Sequence, residues 1–106
     1  MGQEERAGAV FSALADPTRR SVMRRVAERG SATATELAAE LPITRQAVAK
    51  HLGALEDAGL VEATRSGRET RFTLTPDPLH DAMAWLAEVG AAWDRRLARL
   101  RRHLGG

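Results

Sequence analysis

The chain has 106 residues, 43% of them hydrophobic and 28% charged, with a formal net charge of +2 and no cysteine. That length fits one compact domain of ordinary globular composition, and the missing cysteine rules out disulfides, thiol chemistry and thiolate metal ligands within the chain. No apolar run is long enough to span a bilayer, and the N-terminal MGQEERAG lacks the apolar core of a signal peptide, so a cytoplasmic location is expected.

Total charge argues only weakly for a polyanionic partner. Its chemistry says more: every basic side chain except Lys50 is Arg. The guanidinium fork suits phosphates and base edges. A coding bias would give the same excess, since Ala and Gly are also abundant, so the positions have to decide.

In chain order, residues 4–14 fit a short helix with Val10, Phe11 and Leu14 on one stripe. Asp16-Pro17 starts a second helix, because Asp caps free amides and Pro suits a first position where its missing N–H has no partner. Val22, Met23 and Val26 form its apolar face, and Gly30 stops it. Thr33 and Glu36 have capping-box spacing, with Thr35 a competing cap. Leu37, Ala38 and Leu41 then give a short apolar face before Pro42 interrupts. Thr44 caps the next helix, which runs to about Ala58 with Val48, Leu52 and Leu55 on its buried stripe. Two short helices joined by three or four residues form a helix-turn-helix.

The period changes in LVEATRSGRETRFTLTP. Val61 and Ala63 alternate, then Thr70, Phe72 and Leu74, around Ser66-Gly67: a β-hairpin that must pack on the helices to be stable. Asp77-Pro78 repeats the capping signal of Asp16-Pro17. The last helix covers residues 78–104, roughly 40 Å at 1.5 Å per residue. Leu79, Met83, Leu86, Gly90, Trp93, Leu97, Leu100 and Leu104 recur at alternating spacings of four and three, as in a coiled coil, and Trp85 and Val89 broaden the stripe. A helix this long outruns a small core. Either it folds back over that core or its outer half meets a second copy. The expected class is mainly α with a small β-hairpin, order α-α-α-α-β-β-α, as a single domain over residues 5–106 with the helix-turn-helix and hairpin at one end and the long last helix at the other.

The second helix of a helix-turn-helix enters the major groove with its N-terminal residues at base edges. Here those are Thr44, Arg45 and Gln46, then Ala49 and Lys50. Gln pairs with adenine and Arg with guanine in bidentate fashion, while Thr44 and the helix N-terminus suit a phosphate. Lys50 and His51 suit phosphate better than bases. The bland alternative is a capped, solvated amphipathic helix. Arg65, Arg68 and Arg71 cluster around Ser66-Gly67, where a basic ribbon can reach phosphates or a minor groove. Arg71 should point away from the Phe72/Leu74 face. Glu62 and Glu69 lie close enough in sequence to neutralise the hairpin instead. Enzymatic chemistry lacks its parts: there is no Gly-rich phosphate loop and no nucleophile motif. Trp85 and Trp93 fit interface packing, and an effector pocket between the long helices stays open.

The segments ADPTRRSVMRRV, TELAAEL, ITRQAVAKHLGALEDAGLV and RSGRETRFTL, in that order and spacing, resemble the ArsR/SmtB family of bacterial winged-helix transcriptional repressors. The likeness covers residues 11–104. It implies a homodimer joined by the first and last helices, here through Val10, Phe11, Leu14, Trp85, Val89, Trp93, Leu97 and Leu100. It implies that Thr44, Arg45, Gln46, Ala49, Lys50 and His51 lie on the DNA-facing helix, and that Arg65, Ser66, Gly67, Arg68 and Arg71 belong to the wing. Two departures matter. The family's cysteine pair in the third helix is replaced by Ala38 and Ala39. A second family metal site uses carboxylates and histidines of the last helix, and the only candidates, His80, Asp81 and His103, do not match its spacing. No metal or cofactor is therefore expected, and no effector is identified. The expected function is a sequence-specific repressor of double-stranded DNA at a near-palindromic operator. The alternatives are a ligand- or metal-responsive sensor and a winged helix that binds only protein.

Overall fold

A computed structural model describes residues 2–105. Four helices, α1 (Gln3–Leu14), α2 (Pro17–Arg29), α3 (Ala34–Glu40) and α4 (Arg45–Asp57), precede strands β1 (Val61–Ser66) and β2 (Glu69–Leu74) and a closing helix α5 (Asp77–His103). The order is the one the sequence periodicities predict.

Capping side chains set most of the boundaries. The Asp16 carboxylate accepts from the amides of Thr18 at 2.8 Å and Arg19 at 3.1 Å, with Pro17 in the first turn. At α3 the competition between Thr33 and Thr35 goes to Thr33. Its hydroxyl accepts from the Glu36 amide at 3.1 Å, and the Glu36 carboxylate accepts from the Thr33 amide at 2.9 Å. The Thr44 hydroxyl accepts from the Ala47 amide at 3.1 Å and starts α4. Gly59, at φ 76°, lets the chain leave α4 through a left-handed residue and turn straight into β1. The expected cap at α5 is corrected. The helix begins at Asp77 itself, and Pro76 precedes it in αR conformation with no side-chain cap bond. The difference from α2 is in the backbone: Asp16 is extended with ψ 120°, as a cap must be, whereas Pro76 has already turned helical at ψ −14°. Asp77 instead places its charge in the first turn, where it complements the free amides.

One apolar core joins all the elements except β2, which contributes the half-buried Phe72. Val22 and Val26 of α2, Leu37 of α3, Val48, Leu52 and Leu55 of α4, and Leu60 and Val61 at the exit to β1 are buried together with Ala7, Val10 and Ala13 of α1 and Ala82 of α5. The hairpin pairs antiparallel, Val61 with Leu74 through Ser66 with Glu69. It is not left as a bare ribbon. Ala32 and Phe72 exchange two backbone hydrogen bonds, of 3.0 and 2.8 Å, which tie β2 to the α2–α3 connection.

The stripe expected on α1 rotates. Ala7, Val10 and Ala13 face inward, while Phe11 is 37% exposed and packs at a tilt on Trp85, ring centroids 5.8 Å apart. Small residues at Ala7, Ala13 and Ala82 let α1 settle closely on the rest of the protomer, and Val10 follows them into that contact. Val10, assigned from the sequence to a dimer interface, is 1% exposed within its own chain and has no surface left for a partner. The fold-back alternative for α5 does not occur. Trp93, Leu100 and Leu104 stay exposed along the outer half of the helix, and the molecule is 67 Å long.

Candidate nucleic-acid interface

Three buried residues on one side of α4 decide what the other side offers. With Val48, Leu52 and Leu55 in the core, the helical repeat turns Gln46, Ala49 and Lys50 outward, while Arg45, seven residues before Leu52, is exposed because it opens the helix; all four are exposed. Thr44 is exposed too. Its oxygen is engaged by the Ala47 amide, but its hydroxyl hydrogen remains able to donate. Arg45 is steadied by α3, its Nε donating to the Thr35 hydroxyl at 3.0 Å. The remaining donors of the guanidinium point into no other contact among the described residues.

His51 is placed differently from Lys50. It is half-buried, and its Nδ1 accepts from Arg19 Nε at 3.3 Å. Arg19 also donates to the Ala13 carbonyl at 3.4 Å. This bond requires an imidazole with a bare Nδ1, so His51 stitches α4 to the start of α2 and to the end of α1. Only its Nε2 edge is available for an outside contact.

The hairpin divides its arginines as well. Ser66 pairs with Glu69, which leaves Gly67 and Arg68 as a two-residue loop, and Gly67 takes φ 60° at its first position. Arg65, Ser66, Gly67 and Arg68 are exposed. Arg65 and Arg68 form no ion pair with any described residue. The expected self-neutralisation is confined to Arg71, which pairs with Glu69 at 3.4 Å and with Glu36 at 3.0 Å. Between hairpin and helix-turn-helix lies an open cleft of about 480 Å³, with Arg45 and Thr35 on one wall and Arg68 and Thr70 on the other. Glu36 and Glu69 line it as well, but both are paired with Arg71, so an extended anionic backbone lying there would meet one guanidinium without an ion pair from each side.

Sequence reading missed the charged ladder behind this cleft. Glu36 and Glu40 of α3 pair with Arg29 of α2, and Glu40 also pairs with Arg25 at 3.2 Å. The signal was present: Glu36/Glu40 and Arg25/Arg29 are both four apart, so each pair lies on one helical face. What the sequence does not reveal is that the two faces meet.

Two carboxylates are held below their ordinary range. Asp16 is lowered chiefly by the Arg19 amide, then by the Thr18 amide and the Arg19 charge. Glu36 is lowered chiefly by the Thr33 amide, then by Arg71 and Arg29. A depressed folded-state pKa gives stability that is present above the unfolded value and lost as pH falls through the folded one. Thermal midpoints should therefore drop as pH falls below about 4. The Asp16→Asn, Glu36→Gln double variant keeps the capping acceptors but should show a shallower acid limb in melting curves recorded across that range.

Apart from Val10, the residues assigned to the dimer interface keep accessible surface in the single chain. Leu14 is half-buried, as are Trp85 and Leu97, and Phe11, Val89, Trp93 and Leu100 are exposed. Met83 and Leu86 extend the same apolar surface. The candidate metal ligands do not converge. His80 is exposed in the first turn of α5, Asp81 pairs with Arg6 at 3.5 Å, and His103 lies in the last turn. Twenty-three helical positions, roughly 34 Å, separate the two histidines within one chain.

A helix-turn-helix domain family matches residues 14–64. An ArsR-like transcriptional regulator from Rhodococcus sp. RHA1 superposes with a TM-score of 0.87 at 40% identity, over 96% of this chain and 95% of that one. The HTH-type transcriptional regulator CmtR of Mycobacterium tuberculosis is 40% identical over 82 residues, 77% of this chain and 69% of CmtR. A homodimeric winged helix-turn-helix DNA-binding domain from Mycobacterium bovis, Mb0332, superposes with a TM-score of 0.60 at 26% identity, over 90% of this chain and 82% of that one. With its recognition helix, its hairpin wing and these relatives, the chain belongs to the ArsR family of winged helix-turn-helix transcriptional regulators, which are DNA-binding proteins and not enzymes.

Proposed function

We propose that this protein is a cytoplasmic, homodimeric repressor that recognises a near-palindromic operator in double-stranded DNA, often that of its own promoter. The observation that carries the reading is the exposed side of α4, where Gln46, Ala49 and Lys50 make no side-chain bond within the chain, beside a cleft in which Arg45 at the helix start faces Arg68 of the wing. Gln46 and Arg45 read bases, and Thr44, Lys50, Arg65 and Arg68 hold phosphates. His51 acts mainly by fixing α4, with its Nε2 edge as the only part within reach of a phosphate. Two copies joined along α5 would present two such faces about one helical turn apart. The exposed apolar surface of α5 supports that pairing, as does the homodimeric state of Mb0332.

CmtR is a cadmium metal-sensor. Cadmium is a soft ion that favours thiolates, and this chain has no cysteine, so CmtR's sensing chemistry does not carry over through sulfur ligands.

Selection of bound fragments from random or genomic DNA by the purified protein tests the function and defines the operator together. On that operator, Gln46→Ala should reduce discrimination at one base pair by about 1–3 kcal/mol. Arg68→Gln should weaken all sequences alike and reduce the slope of log K against log salt by about 0.9. Failure to enrich any sequence would overturn operator recognition, and an unchanged base preference in Gln46→Ala would remove Gln46 from the reading set.

A further inference from the structure

The wing arginine nearest the core is bonded quite unlike the other two. Arg71 uses all three nitrogens of its guanidinium within the chain. Nε donates to the Ser31 hydroxyl at 3.1 Å, one terminal nitrogen donates to Glu36 at 3.0 Å, and the other to Glu69 at 3.4 Å. Its side chain is only about one-third exposed. Glu36 is itself fixed twice more, by the Thr33 amide at 2.9 Å and by Arg29 at 3.3 Å. From Arg29 the ladder continues through Glu40 and Arg25 to Glu28. A row of alternating charges thus runs from β2 across α3 to α2. The next residue, Phe72, makes the paired backbone bonds to Ala32. Side chain and backbone fasten the hairpin at the same level, three residues from the exposed Arg68.

We infer that Arg71 is a positioning residue of the nucleic-acid interface, which through Glu36 and Ser31 sets the wing at a fixed angle to the helix-turn-helix, and that it makes no phosphate contact of its own. The inference rests on the DNA-binding reading above. An isolated exposed ion pair adds little, because ordering two long side chains offsets most of the attraction. Here Glu36 is already ordered by its cap and by Arg29, so Arg71 meets a prepared acceptor. The fork geometry matters too. A Lys at this position could reach one acceptor but could not span Ser31, Glu36 and Glu69 together. Holding the wing in place leaves Arg68 at the cleft with its backbone already placed, so that only the side chain has to be ordered on binding.

The opposite view, that Arg71 touches a phosphate, makes different predictions for the same variants. As a positioning residue, Arg71→Gln and Arg71→Lys should both weaken operator binding, roughly three- to fivefold, with the salt slope unchanged. Glu36→Gln, which retains the capping acceptor, should weaken binding in the same direction, and the Arg71→Gln, Glu36→Gln pair should be no weaker than the poorer single variant. As a phosphate contact, Arg71→Gln would reduce the slope by about 0.9, Arg71→Lys would bind as wild type, and Glu36→Gln would tighten binding by removing a nearby negative charge. Any of these three results overturns the inference. Hydrogen exchange on the free protein supplies a readout that needs no DNA: the amides of Ala32 and Phe72 should exchange faster in Arg71→Gln and Arg71→Lys than in wild type. Unchanged exchange also overturns it. If the wild-type chain selects no DNA sequence, it is the functional reading that fails, and the exchange arm still decides whether Arg71 holds the wing.

Discussion

Replacing Trp93 with Asp should convert a dimer to a monomer in light scattering and weaken operator binding by about 10²–10⁴-fold, the loss expected when two linked half-site contacts become one. Trp93 is 56% exposed in the single chain, past the midpoint of a 27-residue helix more than twice the length of the 12-residue α1. Phe11, Trp85, Val89 and Leu100 continue the surface on either side. Several large apolar side chains exposed on one helix are what a contact surface leaves on a separated protomer. The Arg96 guanidinium lies 5.9 Å from the Trp93 ring centre, a cation–π contact that shields part of the ring and would persist at the rim of an interface. Asp in its place would introduce a charge that cannot be paired inside an apolar contact. Because Trp93 touches nothing in the protomer core, the monomer should keep its helical circular dichroism. A variant that stays dimeric would move the interface elsewhere, and one that unfolds would mean that the protomer has no stable existence without its partner.

Apart from the cap of α5, where the local Asp77-Pro78 signal failed, the places where sequence and structure part company share a cause. Boundaries were readable wherever one side chain acts on its own neighbours: Asp16, Thr33 with Glu36, Thr44 and Gly59 all fall where local chemistry puts them. The hairpin loop and the outward edge of α4 follow for the same reason, since Gly67 and the Val48/Leu52/Leu55 stripe are local signals. Val10, Arg71 and His51 depend on residues far away. Periodicity shows that Val10 is on an apolar stripe but not whether α5 of the same chain or a partner covers it, and Ala7 and Ala82 decide that. Alternation shows that Arg71 leaves the Phe72 side of the hairpin, but not that Glu36 and Ser31, 35 and 40 residues earlier, are waiting there. Periodicity places His51 at the boundary of the polar side, next to Val48 and Leu55, but does not show that Arg19, 32 residues earlier, comes within reach of it. In each case the residue type suggested an outside partner and the tertiary fold supplied an inside one.

That distinction between outward and inward residues of one helix gives the second large expectation. Leu52→Ala should cost about 2–5 kcal/mol of folding stability, a large share of the roughly 5–15 kcal/mol typical of a domain this size. Leu52 is completely buried between α2, α3 and the α4–β1 exit, and truncating it leaves a cavity that Val48 and Leu55, on the same rigid helix, cannot collapse to fill. The effect should appear as a lower denaturant midpoint with an unchanged slope, since the native and unfolded surfaces are nearly the same. Gln46 is six residues earlier on α4, and Gln46→Ala should do the reverse, leaving the midpoint within about 0.5 kcal/mol of wild type while altering base preference. The two variants together separate the helix as a structural element from the helix as a reader. Should Leu52→Ala leave the midpoint unmoved, α4 would not be anchored through this residue. The outward placement of Gln46, Ala49 and Lys50 would then lose its physical basis, because the buried stripe fixes which side of the helix meets the groove.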